Sequence, residues 1–229
     1  MPADRAKLLS LYDDLRVADV RDGMDTMGQH YVGTMSPDMR PLWRTRAHGI
    51  ARTARYLPAR AVVPKLAPDE YWAWVGTYYR DVCRYPWVEK IEDGDFVVLD
   101  MSGINVGLMG SENTLSCLRK GARGLICGGG VRDTDEIIMQ KVPVWSTMCS
   151  QPMVQGRIEF EAMDVPVAVA GVQVRPGDVV VADGDGVIVV PSEIAADVAR
   201  YAHEEHDRDK KSRGKHYDAL GWKKDGTVT

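Results

Sequence analysis

The chain has 229 residues, 45% of them hydrophobic, and a formal net charge of −4 at pH 7. That length and hydrophobic content suit one domain with a sizeable core, and the acidic balance argues against a sequence-independent nucleic-acid binder, which needs a basic face. No apolar run approaches the roughly 20 residues of a membrane span, and the charged N-terminus is unlike a signal peptide, so we expect a cytoplasmic protein with reduced cysteines.

The N-terminal part of the chain predicts two helices and a strand. Residues 5–16 carry an apolar stripe at helical spacing, and a second short helix begins near Val17. Within that helix we interpret Asp22 as a capping residue. Residues 48–56 then alternate as a half-buried strand does, and the lone His48 in it is interpreted as a structural residue.

Aromatic side chains cluster in a segment at about residues 68–90, which we treat as an insert. They are Tyr71, Trp72, Trp74, Tyr78, Tyr79, Tyr85 and Trp87. Aromatic residues are enriched in protein cores and in subunit interfaces, so a core helix or an interface is the interpretation we favour. The alternative is an aromatic wall over a substrate site.

Residues 110–136 combine a helix, a strand and a run of glycines. Ser111 is predicted to cap a helix that continues at helical spacing to Arg119. Residues 125–127 are predicted to form a buried strand of a parallel sheet. Three glycines, at 128–130, follow. We interpret them as a loop in which the missing side chains let a ligand approach the backbone.

Arg132 and Asp133 come shortly after the glycines, with one valine between. In open α/β sheets, ligands bind outside the carboxyl ends of the strands. The Arg132 guanidinium can hold a carboxylate through a two-pronged hydrogen bond, and the Asp133 carboxylate can hold a hard divalent cation. A surface ion pair is the alternative. The position after a buried strand and three glycines favours a functional site.

Two segments have similar sequences, at residues 92–100 and 175–183. Each is a Gly-Asp turn, a β-branched strand and a terminal Asp. The second strand is predicted to form a hairpin with residues 187–190. A calcium loop is the weaker interpretation of the intervening Asp-Gly-Asp-Gly, because the remaining ligands and the distal Glu are missing.

The C-terminal part, residues 192–229, predicts a charged helix and tail. Ser192 is the predicted N-cap of this helix. The dense charges are interpreted as a solvated helix face. His203 and His206 lie at a spacing that fits a metal, but nothing else in the sequence supports a metal site there.

The block from Gly110 through GGGVRDTDEI resembles the family of regulators of ribonuclease activity A. It is most similar to the branch of 4-hydroxy-4-methyl-2-oxoglutarate aldolases, which carries Arg-Asp and, after two residues, an acidic residue. Here these are Arg132, Asp133 and Glu136. The chain departs from the family where the family usually has Asp-Gly and this sequence has Gly-Gly. Apart from the aromatic insert, the resemblance covers roughly residues 17–213.

The resemblance implies a fold and an assembly. The implied fold is α/β, a single domain over residues 1–229 with a central mixed sheet flanked by helices, of the swivelling-domain-like β/β/α type. The implied assembly is a homotrimer, or a homohexamer built from trimers, with sites at subunit boundaries. An acidic residue of the C-terminal helix would then reach a neighbouring site, and Glu205 and Asp209 are equal candidates.

The resemblance also implies a chemistry, a metal-dependent cleavage of a 4-hydroxy-2-oxo acid to pyruvate and a second carbonyl compound. Asp133 would hold the metal, with Mg²⁺ expected and Mn²⁺ or another divalent ion as alternatives, and Arg132 would bind substrate oxygens. The helix start would receive the substrate carboxylate. The helix-start residues are Gly110, Ser111, Glu112 and Asn113. Decarboxylation of oxaloacetate passes through the same pyruvate enolate, so we expect the same site to catalyse it.

Two other functions compete with this hypothesis. The first is a non-catalytic regulator that binds a ribonuclease or another protein, against which the presence of Asp133 argues. The second is a methyltransferase, a label sometimes attached to the family. The glycine run is a weak nucleotide-binding signal without an acidic residue placed after a following strand, so this function ranks last.

Overall fold

The computed structural model describes residues 2–60 and 62–229 and alternates strands with helices. Within these residues the α-helices are α1 (Pro2–Ser10), α2 (Val17–Thr26), α3 (Pro68–Asp81), α4 (Ser111–Arg119), α5 (Thr134–Met139) and α6 (Ala195–Leu220). The strands are β1 (Arg40–Pro41), β2 (Ala47–Pro58), β3 (Asp95–Asp100), β4 (Gly107–Met109), β5 (Gly124–Val131), β6 (Val144–Cys149), β7 (Ile158–Met163), β8 (Val167–Val169), β9 (Val172–Val174), β10 (Val179–Asp183) and β11 (Gly186–Val190). In the part of the chain described, no helix has both the length and the apolar character of a membrane span.

The main sheet is mixed, and its centre is parallel. Its strand order is β1-β6-β5-β3-β2-β10-β11, with β4 paired to β5 and β7 paired to β2. Strands β2, β3, β5 and β6 run parallel, whereas β7 and β10 pair with β2 in the antiparallel sense. The predicted α/β class with a mixed central sheet flanked by helices is confirmed, and so are the strand at residues 48–56 and the hairpin β10–β11.

Strand β3 shows how the sheet separates two apolar layers. Successive side chains of a strand point to opposite faces, and here Val97 and Leu99 join the layer that contains Trp87, while Phe96 and Val98 join the opposite layer. Burying a side chain of this size stabilises the fold by about 1.5–3 kcal/mol. Helices α1, α2 and α6 pack on β10 and β11 in a third cluster.

The two segments with similar sequences build the same turn. The Asp95 carboxylate accepts the backbone N–H of Glu92 at 2.8 Å, and the Asp178 carboxylate accepts the backbone N–H of Arg175 at 2.7 Å. Both carboxylates are buried. Each therefore satisfies a backbone donor three residues earlier and fixes the entry into its strand, β3 or β10.

The three glycines are part of strand β5, so the prediction of a ligand-binding loop at Gly128–Gly130 is wrong. A Cβ atom on Gly128 would lie 2.9 Å from the carbonyl oxygen of Leu99, and one on Gly129 would lie 2.8 Å from that of Ile104. A Cβ atom on Gly130 would lie 2.3 Å from the Cβ of Ser150. The missing side chains let neighbouring backbone pack directly on this strand.

Two predicted helix starts are wrong. Helix α4 begins at Ser111 with Gly110 as its N-cap, so Ser111 is the first helical residue. Helix α6 begins at Ala195, after an irregular turn. Ser192 therefore lies before the helix and is not its N-cap. Its backbone N–H donates to the Asp178 carboxylate at 3.1 Å.

The capping role assigned to Asp22 belongs to Asp19. Asp22 lies in the middle of α2 and is exposed. The Asp19 carboxylate instead accepts the backbone N–H of Arg16, the N-cap residue, at 2.8 Å. An acidic residue three positions after the cap can reach back in this way, whereas one in the middle of the helix cannot.

The tight packing around β5 predicts opposite effects for two glycine-to-alanine substitutions. Gly130→Ala should lower the free energy of unfolding by about 1–3 kcal/mol, because the added methyl group overlaps Ser150 and the backbone of Val106. Gly76→Ala is the matched control. Its Cβ would meet nothing within 4 Å in the middle of α3, so it should raise stability by up to about 1 kcal/mol. Urea unfolding measures both, and a neutral Gly130→Ala would contradict the packing account.

Candidate functional site

Strands β4 and β5 bring the predicted site residues together. The two strands are parallel, and Met109 pairs with Val131 at their carboxyl ends. The backbone N–H of Arg132 donates to the Met109 carbonyl at 3.0 Å. Gly110 and Arg132 therefore leave the sheet side by side, as expected for ligand-binding positions in an α/β sheet.

The Asp133 carboxylate lies at the N-terminus of α4. Its Oδ2 accepts the backbone N–H of Ser111 at 3.1 Å, where the helix dipole favours negative charge. A Cβ atom on Gly110 would lie 2.4 Å from that oxygen, so the approach requires glycine. Asp133 itself has φ 53° and ψ 40°, a left-handed conformation that Asp and Asn tolerate better than most residues.

Arg132 lies beside this carboxylate on a glycine platform. Its Nε is 3.4 Å from Asp133 Oδ1. A Cβ atom on Gly107 would lie 2.6 Å from the Arg132 Cδ, so the absence of a side chain there makes room for the arginine stem. The side chains of Arg132 and Asp133 are 35% and 37% exposed. An ion pair this open adds little stability, and both groups remain available to a ligand.

Two cavities meet at Arg132 and Asp133. The first has a volume of about 840 Å³, and its lining includes Asn105, Asp133, Glu136, Cys149, Ser150 and Gln151. The second has a volume of about 440 Å³, and its lining includes Tyr79, Tyr85, Gly110, Glu112, Asn113 and Arg132. The Arg-Asp pair forms the boundary between them and is accessible from both sides.

The predicted carboxylate-binding residues divide into two groups. Gly110, Glu112 and Asn113 line the second cavity as expected. Ser111 differs, because its backbone N–H is already bound by Asp133. Among the described residues the N–H groups of Glu112 and Asn113 have no backbone acceptor, so they are the donors that α4 offers to an anion.

Several cavity residues were missed from the sequence. Asn105 and Ser150 line the first cavity, where the Ser150 hydroxyl donates to Asn105 Oδ1 at 2.6 Å. Ser150 directly follows β6, which is parallel to β5. The rule that pointed to Arg132 and Asp133, attention to the carboxyl ends of parallel strands, also points to Ser150. Tyr79 and Tyr85 belong to the aromatic segment, for which a wall over a substrate site was the alternative interpretation. They line the second cavity, whereas Trp87 belongs to the core.

The carboxylate at the site suits a hard divalent cation that keeps most of its water ligands. Among the described residues no three His, Cys, Asp or Glu side chains converge as a metal cluster. Mg²⁺ keeps several waters and is usually bound through one or two carboxylates, so a single open carboxylate such as Asp133 suits it. A structural zinc site needs four protein ligands.

Other candidate ligands have structural partners. His203 Nε2 donates to the Leu11 carbonyl at 2.9 Å, and His206 Nδ1 lies 3.0 Å from the buried carboxylate of Asp19. These contacts tie α6 to the N-terminal part, as expected for structural histidines. Within this chain Glu205 pairs with Arg208 and Asp209 pairs with Arg213.

The buried cysteines do not offer a nucleophile. Cys83, Cys117 and Cys127 are buried, and burial raises the pKa of each thiol to about 12. The thiolate is the reactive form of cysteine, so these residues act as apolar core residues near neutral pH.

Comparisons with known proteins agree with the fold. The family model described as RraA-like, Aldolase/RraA, matches residues 17–189. A protein of Deinococcus radiodurans named "Putative 4-hydroxy-4-methyl-2-oxoglutarate aldolase" is 38% identical over 101 residues, which are 44% of this chain and 62% of that protein. Protein DlpA of Legionella pneumophila is 28% identical over 181 residues, which are 77% of this chain and 26% of that protein.

A solved structure extends the similarity over nearly the whole chain. It is RraAS2 of Streptomyces coelicolor, described as an unusual member of the RNase ES inhibitor RraA protein family. The TM-score is 0.72 at 26% sequence identity, with 90% of this chain and 96% of that chain covered. The two named sequence relatives, in contrast, are each matched over less than two thirds of their own length.

The two structural constraints on Asp133 predict which substitution the fold tolerates. Asp133→Asn should change the free energy of unfolding by less than about 1 kcal/mol, because asparagine accepts the Ser111 N–H and adopts the left-handed conformation. Alanine has no side-chain acceptor and tolerates the left-handed conformation poorly, so Asp133→Ala should lower the free energy of unfolding by about 1–3 kcal/mol. Urea unfolding of the two variants in EDTA measures the difference, and equal stabilities would show that the contact with α4 is unimportant.

Proposed function

The chain belongs to the RraA-like family, and from that membership we propose that it is a divalent-metal-dependent carbon–carbon lyase. The reaction cleaves a 4-hydroxy-2-oxo acid to pyruvate and a second carbonyl compound. The observation that carries the proposal is the open carboxylate of Asp133, held at the start of α4 beside Arg132 and between two cavities. The name of the D. radiodurans relative supports the same reaction class.

The bond changes define what the site has to do. Cleavage breaks the C3–C4 bond, and its electron pair becomes the enolate of pyruvate. The C4 hydroxyl loses its proton and becomes the carbonyl group of the second product, while C3 gains a proton. The reaction is therefore balanced without an oxidant, a reductant or any other reactant. Its difficult feature is the negative charge that develops on the pyruvate fragment.

Arg132 and Asp133 divide the work of stabilising that charge. Arg132 carries a fixed positive charge and can hold substrate oxygens through two hydrogen bonds at once. Asp133 would hold the divalent cation, which when bound supplies Lewis-acid polarisation of the 2-oxo group. The cation would take the place of a Schiff-base lysine, and neither cavity has a lysine among its described lining residues.

The substrate carboxylate fits the start of α4. The backbone N–H groups of Glu112 and Asn113 point outward from the first turn of a nine-residue helix. Helix N-termini bind carboxylates through such unpaired donors and the positive end of the helix dipole. This placement puts the 2-oxo acid end of the substrate next to Asp133, whose carboxylate is bonded to the same turn.

A non-catalytic regulator that binds a ribonuclease is the second candidate. The similarity to the S. coelicolor protein, described as a member of an RNase inhibitor family, favours it. The two candidates differ in a simple assay, because only the lyase raises the Mg²⁺-dependent release of pyruvate from oxaloacetate above that of a protein-free Mg²⁺ blank. The predicted trimer or hexamer, with Glu205 or Asp209 reaching a neighbouring site, stays a prediction, as does the cytoplasmic location.

Removing the charge of Asp133 should remove the metal-dependent activity. We expect Asp133→Asn to lower Mg²⁺-dependent release of pyruvate from oxaloacetate by at least about a hundredfold, because an amide is a weak ligand for a hard cation. The coupled assay is run at limiting Mg²⁺ with an EDTA blank and with a protein-free blank at the same Mg²⁺ concentration. Turnover near that of the wild type would show that Asp133 does not hold the metal.

Arg132→Lys should lower kcat/KM by more than about tenfold, equivalent to about 1.4 kcal/mol of transition-state stabilisation. Lysine keeps the charge but cannot make the planar two-pronged contact. Arg119→Lys serves as the control, because Arg119 is an exposed residue at the end of α4. Steady-state kinetics in which both variants behave alike would remove Arg132 from the reaction.

A further inference from the structure

The second cavity has a feature that the proposed reaction does not require. Two tyrosines, Tyr79 and Tyr85, line it together with Arg132 and Asp133. Tyr79 comes from α3, and Tyr85 comes from the turn that follows it. The ring centroids of the two tyrosines are 6.1 Å apart, within the range of favourable aromatic contacts. We call this pair the tyrosine wall.

The tyrosine wall is anchored to the rest of the fold. The Tyr78 hydroxyl donates to the carbonyl of Ile158 at 2.9 Å, and the backbone N–H of Phe160 donates to the carbonyl of Val82 at 3.0 Å. Both contacts attach α3 and its end to strand β7. Trp87 follows as a fully buried residue. The segment that carries the wall is therefore packed against the sheet on both sides of Tyr79.

Tyr85 is fixed in orientation as well as in position. Its hydroxyl donates to the Leu108 carbonyl at 3.0 Å, two residues before Gly110. Burial raises the pKa of the Tyr85 hydroxyl well above its ordinary value, so the group stays neutral. With the hydroxyl held by β4, the ring is the part of Tyr85 that is left for a ligand. The Tyr79 hydroxyl has no hydrogen-bond partner among the described residues.

The charges around the cavity limit what the wall can bind. Arg132 is the one cationic side chain among the described residues that line it, and Glu112 and Asp133 are acidic. The proposed reaction already uses Arg132 and the start of α4 for the 2-oxo acid end of the substrate. A second carboxylate on C4 would thus face tyrosine rings and the Glu112 carboxylate without a cation of its own.

We propose that the tyrosine wall determines specificity and selects a 4-hydroxy-2-oxo monocarboxylate with an aryl or other bulky apolar group on C4. This inference rests on the proposed lyase function and names its substrate class. Cleavage then gives pyruvate and an aromatic or apolar aldehyde or ketone, with the same transfer of one proton from the C4 hydroxyl to C3. The ring faces of Tyr79 and Tyr85 receive the apolar group.

The test compares two substrates that differ in their C4 substituents. One is 4-hydroxy-2-oxo-4-phenylbutanoate, and the other is the dicarboxylate 4-hydroxy-4-methyl-2-oxoglutarate. With Mg²⁺ present, we expect kcat/KM of the wild-type chain to be at least about tenfold higher for the phenyl compound, as pocket contacts of this size allow. Pyruvate release from oxaloacetate is measured in parallel to establish the lyase activity.

Three variants assign the preference to the wall. Tyr79→Ala should lower the ratio of the two kcat/KM values by about tenfold. Tyr79→Arg keeps a long side chain at this partly buried position and supplies the missing cation, so it should shift the preference towards the dicarboxylate. Tyr71→Ala is the matched control, since it makes the same change two turns earlier in α3 and outside the described cavity linings. It should leave the ratio unchanged.

The outcomes distinguish a failure of the specificity inference from a failure of the proposed lyase function. Mg²⁺-dependent cleavage of the dicarboxylate at least as fast as the phenyl compound would overturn the specificity inference and leave the lyase function standing. A ratio that is the same in Tyr79→Ala, Tyr79→Arg and the wild type would do the same. Absence of Mg²⁺-dependent pyruvate release from all three substrates would overturn the lyase function, and the inference with it.

Discussion

The hydrogen bond from the Ser111 amide to the Asp133 carboxylate organises the site. It joins the end of β5 to the start of α4, two segments that are more than 20 residues apart in the chain. The contact places a carboxylate at the positive end of a helix and leaves its second oxygen near Arg132. The carboxylate that we propose as the metal ligand and the helix start that we propose for the substrate carboxylate are thereby fixed to each other by one bond.

Several glycines make room for this contact and for the packing around β5. Gly110 leaves room for the Asp133 carboxylate, and Gly107 leaves room for the arginine stem. The glycines of β5 let the backbone of neighbouring segments approach the strand. Glycine is needed at these positions because a Cβ atom would overlap a neighbour, and only Gly110 and Gly107 act on the site residues themselves. The glycine run allows close packing around the strand whose end presents Arg132.

The sequence sufficed for the fold class. It also indicated that Arg132 and Asp133 lie at the carboxyl end of a buried strand, where the structure places them. The prediction at Gly128–Gly130 was wrong, because glycine is equally suited to a ligand-binding loop and to a tightly packed strand. Which of the two applies depends on the residues packed against the segment. Ser111 was wrongly taken as a cap because the group that accepts its backbone N–H, the Asp133 carboxylate, lies more than 20 residues away in the chain. The sequence left open whether the aromatic segment forms core, interface or a wall of the site. It could not single out Tyr79 and Tyr85, because their position depends on how α3 docks on β7.

Binding of Mn²⁺ to the wild-type chain would show whether the site at Asp133 takes up a divalent cation. Mn²⁺ resembles Mg²⁺ in its preference for oxygen ligands and is visible by electron paramagnetic resonance. We expect about one bound Mn²⁺ per chain, as a single open carboxylate site allows. We also expect the spectrum of the bound Mn²⁺ to change when pyruvate is added. If all the added Mn²⁺ kept the spectrum of the free hydrated ion, with and without pyruvate, Asp133 would be a helix cap and nothing more.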